Sequence, residues 1–287
     1  MTTFDEGITA ESEDAEPAAG AMTLSEHLRE LRGRLFKSAI ALVVGMTIGW
    51  FFYNPIYTFL AAPITQVIEQ AQAQGREIQV VVLGVTDPFT LKLKISAAVG
   101  VVLAAPVWLF QLWRFVTPGL HKHERRTAYL FVAFGFPLFL AGIVVAYLVL
   151  PKGLELLFGF TPDNVSNYVE VSRYLSFFLR TALVFGLGFL FPLVIVALNV
   201  VGVLSGKRLL SWWRGMVFGV FVFAAVATPS GDPITLFVLA IPMVLLVGAA
   251  IGFCFLNDRR RARQGAEPDY DTWDDDQTSP LPERDDG

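Results

Sequence analysis

Cysteine is nearly missing from this chain: Cys254 stands alone among 287 residues. An intramolecular disulfide is therefore impossible, and Cys254 reads as a small apolar residue in a helix. Positive charge is missing from residues 1–22, which hold six of the 26 acids and neither Lys nor Arg. A secretory signal peptide needs a basic start and an apolar core, so residues 1–20 are not expected to be one. Neither a Gly-x-Ser-x-Gly nucleophile motif nor a Walker-type phosphate loop occurs, so hydrolysis of a peptide or of a nucleotide is not signalled. Charge is also missing from the middle of every long apolar run. Ion and proton paths keep ionisable groups at that depth, although an unpaired charge there costs ~3 kcal/mol or more. The absence weighs against a small-solute transporter with a polar midplane site.

Apolar surface, by contrast, is abundant. Residues of the apolar and aromatic kinds make up 54% of the chain, aromatics alone 13%, and mean hydropathy is +0.54, more than a soluble globule needs to fill its core. Lipid is the solvent these numbers imply. A helix needs ~20 apolar residues to cross ~30 Å of hydrocarbon while satisfying its own backbone. Six runs, about 36–56, 93–115, 129–150, 178–200, 212–228 and 234–256, meet or approach that length. They predict an all-α integral membrane protein with six transmembrane helices in a domain over residues 23–263. Residues 1–22 and 264–287 flank it as acidic tails, the second with nine acids, too poor in apolar residues to order themselves. The fifth run is short: its most apolar part, 215–227, covers only about 20 Å, which calls for local thinning of the bilayer or shelter behind neighbouring helices.

Between the tails, 21 Lys and Arg face 11 Asp and Glu, and the basic residues are unevenly divided between the two ends of the runs. Fifteen lie before run one, between runs two and three, between runs four and five, and after run six; six lie in the longer segments on the other side. The asymmetry predicts that the fifteen are cytoplasmic, with both termini inside. Residues 57–94 and 151–180 then become outer loops, and 229–233 a tight outer turn. Ahead of the first run, Thr23-Leu24-Ser25-Glu26 fits a capping box, and Leu24, Leu28, Leu31 and Leu35 recur at helical spacing. This predicts a short N-terminal interfacial helix, with His27, Glu30 and Arg34 on another face.

Two places on the cytoplasmic side hold candidate chemistry. His121-Lys122-His123-Glu124 has metal-ligating residue types, but a zincin helix needs His-Glu-x-x-His, and Arg125 and Arg126 would repel a dication. No metal site is expected. Glu30 stands with Arg32 and Arg34, and Glu124 with Arg125 and Arg126. These acids either offset their basic neighbours or accept guanidinium groups from a ligand through planar, two-pronged hydrogen bonds. Spacing alone leaves both readings open.

The motifs Glu26-His27-Leu28-Arg29-Glu30-Leu31-Arg32, Pro63, and Phe115-Val116-Thr117-Pro118-Gly119-Leu120-His121-Lys122-His123-Glu124-Arg125-Arg126 carry a resemblance. So do Asp87-Pro88-Phe89 with Lys94, Tyr174-Leu175-Ser176-Phe177, Thr228-Pro229 leading to Asp232-Pro233, and Ala240-Ile241-Pro242. From about residue 24 to 256 the sequence resembles the TatC family, the large membrane subunit of the twin-arginine protein translocase. The resemblance implies a six-helix receptor in the plasma membrane, with both termini cytoplasmic, that binds twin-arginine signal peptides of folded cargo. It also implies assembly with single-span TatA and, where present, TatB subunits, self-association, and transport driven by the proton-motive force. Neither an enzymatic activity, a cofactor nor nucleic acid belongs to that picture. Carried over, Glu30 and Glu124 would hold the signal arginines, with Phe115, His27 and Arg32 shaping the site. Pro63, Lys94, Pro118, Thr228, Pro229 and Asp232 would serve structure or partner contacts. Many members carry a Glu just before the proline of span four and a Gln after the last outer turn; this chain has Leu190 and Leu236 there, with Thr235 adjacent.

A small-solute transporter and a membrane-embedded enzyme are the competing classes. The first lacks its charged midplane residue and the second its nucleophile or metal motif.

Overall fold

The computed structural model describes residues 24–73, 78–116, 124–162, 167–227 and 233–263. The two acidic tails, residues 228–232 with most of the expected outer turn, and residues 117–123 lie outside the described residues. Within them the chain is helical apart from a pair of four-residue strands and short connections such as 82–86 and 201–205.

Helix α1 (Leu24–Phe51) takes up the N-terminal amphipathic segment and the first apolar run as one element. The interfacial helix is therefore helical as expected but continuous with the span, since nothing between Leu24 and Phe36 interrupts the backbone ladder. The run does not continue to residue 56. Pro55 has no N–H to give to Phe51, α1 ends at that residue, and α2 (Tyr53–Ala73) begins after a single-residue turn at Phe52. Much of the expected outer loop is thus this second helix. Strand β1 (Ile78–Val81) follows.

The second apolar run is also two elements, α3 (Asp87–Leu103) and α4 (Ala105–Val116), bent by 58° about Ala104. Pro106 is the cause: it cannot donate to Val102, and its ring crowds the preceding turn. The indole of Trp108 donates to the nearby Val101 carbonyl at 3.0 Å, so an acceptor at the break stays satisfied.

Helix α5 (Glu124–Gly159) runs beyond the third apolar stretch, β2 (Asn167–Glu170) pairs with β1, and α6 (Val171–Val200) returns. Short α7 (Gly206–Ser211), α8 (Trp213–Ala227) and α9 (Pro233–Arg263) complete the chain. The strands are parallel, in register from Ile78 opposite Asn167 to Val81 opposite Glu170. A parallel pair needs a long crossover, here α3 to α5. Hydropathy gave no sign of these strands.

Arg29–Phe51, Ala128–Glu155, Val171–Val200 and Thr235–Ala262 are each long and apolar enough to cross a membrane; the bent α3–α4 pair and the shorter α8 account for the remaining apolar runs. Helix α5 lies closest to α6. A Cβ on Gly142 would fall 2.5 Å from the Phe185 carbonyl oxygen, so only glycine permits that approach. The same holds between α1 and α3, where a Cβ on Gly100 would reach 2.9 Å from the Leu42 oxygen. The core built around these contacts is aromatic and aliphatic, with Phe139, Phe178, Phe185, Leu239 and Met243 fully buried.

Candidate functional site

Helix α1 starts, α4 ends, α5 starts, α6 ends and α9 ends at one end of the bundle. Ring contacts fix that arrangement: Trp113 near the end of α4 stacks on Phe131 near the start of α5 at 4.7 Å, and Phe110 lies 5.5 Å from Tyr129. Helices α1 and α4 pack directly. Arg29, Arg32, Arg34, Arg114, Arg208 and Arg259 to Arg261 all belong to this basic end.

Glu30 and Arg32 sit two turns into α1, Glu30 half-buried and Arg32 exposed. The Arg34 guanidinium donates through Nη2 to Glu30 Oε1, one helical turn away. Arg34 is buried, and its Nη1 and the Glu30 Oε2 are both inaccessible and without a hydrogen-bond partner among the described residues. Phe115 lies in the last turn of α4, half-buried. Glu124 opens α5, so the backbone brings it to the same end as Glu30, across the connection from Phe115. The side chains of His27 and Glu124 lie outside the described set, as do Pro118, Thr228, Pro229 and Asp232 altogether.

Two further candidates sit at the opposite end. Pro63 is buried inside α2, where its missing N–H leaves the Phe59 carbonyl free; the Tyr147 hydroxyl of α5 donates to it at 3.2 Å, and the two rings stack at 4.6 Å. Lys94 Nζ donates to Ser176 Oγ at 2.9 Å, which joins two motifs 82 residues apart, and Ser176 in turn donates to the Ser172 carbonyl. Lys92 lies 4.4 Å from the centre of the Trp50 ring, a cation–π contact at the C-terminal end of α1.

One polar cluster was not anticipated. Asn199, 1% exposed at the end of α6, donates through its amide to Leu204 O and to Asp258 Oδ1, each at 2.8 Å. Asp258 Oδ2 accepts from the Gly206 backbone at 2.5 Å, and Asn257 donates to Asn199 Oδ1 at 3.1 Å. The turn after α6 is thereby tied to α9. An Asn at the end of an apolar run and an Asp just after another were the available signals.

A groove of about 940 Å³ opens between α4, α6, α8 and α9, walled by Trp108, Leu112, Leu190, Phe191, Gly215 and Gly219. Leu190 is part of that wall. Leu236 is half-buried near the start of α9, beside buried Thr235. Among the described residues no cluster of three or more His, Cys, Asp or Glu is placed to hold a metal ion.

Comparison with known proteins places these features in a family. The family model described as Sec-independent protein translocase protein (TatC) matches residues 26–242. A TatC protein of Frankia casuarinae is 43% identical over 265 residues, 91% of this chain and 73% of the relative. One from Aquifex aeolicus is 35% identical over 84% of this chain and 98% of its own length. The fold is similar to a crystal structure of the twin-arginine translocase receptor TatC, with a TM-score of 0.67 and 36% identity over 81% of this chain and all of that one. With its helical membrane architecture, its motifs and its relatives in agreement, the chain belongs to the TatC family, a component of the twin-arginine protein translocase.

Proposed function

We propose that the basic end of the bundle is the cytoplasmic receptor site for twin-arginine signal peptides of folded cargo. The observation that carries this reading is the environment of Glu30. Its carboxylate is half-buried and paired with buried Arg34, with Arg29 and Arg32 exposed beside it in sequence, and only one of its oxygens is committed within the described structure. Packing of α1 on α4, and of α4 on α5, puts Glu124 at the same end. Two carboxylates near a low-dielectric boundary can each grip a guanidinium, and losing one such pair would cost ~2–5 kcal/mol. The chain acts by binding and not by catalysis. It crosses the plasma membrane six times with both termini inside, the α3–α4 pair and α8 counting as one span each. Single-span TatA and, where present, TatB join it, and the proton-motive force drives export. The apolar groove walled by Leu190 supports docking of a partner span through packing, since the polar residues that many members have there are absent.

Binding of a fluorescent twin-arginine peptide to the protein in nanodiscs tests the site. Glu124→Ala should abolish measurable binding, Glu124→Asp should retain part of it, and Glu30→Gln should weaken it strongly. If both carboxylates hold one ligand, the double variant should lose less than the sum of the single losses. Full binding by a correctly inserted Glu124→Ala protein would leave the acids as mere partners of their basic neighbours.

A further inference from the structure

Resting on the receptor reading above, we propose that Arg34 is a resident competitor for the signal arginines and sets the preference of the Glu30 site for guanidinium over ammonium. The ligand carboxylate is already engaged: Arg34 Nη2 donates to Glu30 Oε1 from one turn further along α1. A helix pair that served only to stabilise an exposed surface would keep its head groups in water. Arg34 does not. It is 9% exposed, while Arg32, Gly33, Leu35 and Phe36 around it in sequence are exposed. Its second terminal nitrogen and the second Glu30 oxygen are buried without a hydrogen-bond partner among the described residues. The pair is thus half-made, with one donor and one acceptor left over.

A half-made pair treats incoming cations unequally. A guanidinium can take Glu30 Oε2 with one prong and contest Oε1 with the other, because its donors lie in one plane and match both carboxylate oxygens. It replaces Arg34 by a group of the same shape. An ammonium reaches the free oxygen as a point charge, leaves Arg34 on the other, and stays beside a buried like charge. A lysine ligand therefore bears the repulsion of an undisplaced Arg34 that an arginine ligand relieves by taking its place, and the discrimination belongs to Arg34 as much as to Glu30.

The test uses the full chain in nanodiscs with two peptides, one carrying the arginine pair and one with both arginines replaced by lysine. Wild type should prefer the arginine peptide. Arg34→Gln should raise affinity for the lysine peptide by about tenfold and for the arginine peptide by less, so that the ratio shrinks. Arg34→Lys, which keeps a weaker resident cation, should fall between. An unchanged ratio in Arg34→Gln, or equal weakening of both peptides, would overturn the proposal and assign Arg34 to helix packing. Size-exclusion profiles of the variants check that they are folded. Glu30→Gln in the same series separates the two levels: if it binds the arginine peptide as wild type does, the receptor role of Glu30 falls, and the competitor with it.

Discussion

Asp258 shows how much a single side chain holds at the basic end. Its two oxygens accept from the Asn199 amide and from the Gly206 backbone N–H. Asn199 is fully buried, so its amide cannot turn to water when the acceptor is lost. Leaving a buried donor unpaired costs about 1–3 kcal/mol. Asp258→Ala should therefore lower the thermal unfolding midpoint of the purified protein, whereas Asp258→Asn, which keeps one acceptor, should lower it less. Protease cleavage within residues 201–205 should rise in the Ala variant, because the turn loses its tie to α9. Equal midpoints for Asp258→Ala and wild type would show that water replaces the carboxylate. Part of the site was legible from single residues. Glu30 and Glu124 stand out as acids among cations, and family motifs surround both. The burial of Arg34 and the role of Asp258 were not legible, since both depend on which helices meet, and neither residue type distinguishes a buried from a solvated position at a span end.

At the scale of elements, prolines decide where helices stop and what the freed carbonyls then do. Pro63 leaves Phe59 O without its helical donor, and Tyr147 supplies one from α5. This makes a conditional prediction. Tyr147→Phe should cost about 1 kcal/mol in the wild-type background, and close to nothing in the Pro63→Ala background, where residue 63 regains an N–H for Phe59. A double-mutant cycle on thermal midpoints measures the coupling; additive losses would mean that ring stacking alone joins Tyr147 to α2. The same physics explains what the sequence hid. Within the described residues all six apolar runs are built of helix, because hydropathy over ~20 residues is a strong signal. The breaks after Phe51 and at Ala104 were missed because membrane helices often keep a proline without breaking, as α6 does at Pro192. Strands β1 and β2, four residues each, are too short for an alternating pattern to register.

For the whole molecule, topology is the first thing to establish, and the proposed orientation gives a direct expectation. In a Cys254→Ala background, a cysteine at Ser205 should react with a membrane-impermeant maleimide only from the cytoplasm, and one at Gln79 only from outside; both positions are exposed. The opposite pattern would invert the receptor face and remove the basis for binding at Glu30. In the proposed orientation the paired strands lie on the outer side, which has a consequence for how the protein is made. Ile78 is 1% exposed, and its β-partner Asn167 lies 89 residues later, beyond the three helices α3, α4 and α5. During synthesis β1 waits for its complement with an unpaired edge and a naked isoleucine, for about 4–18 s at ~5–20 residues per second. In that orientation, biogenesis passes through an interval in which the β1 segment is translocated but unclasped. Any factor that guards nascent membrane proteins on the far side of the bilayer would find its client there.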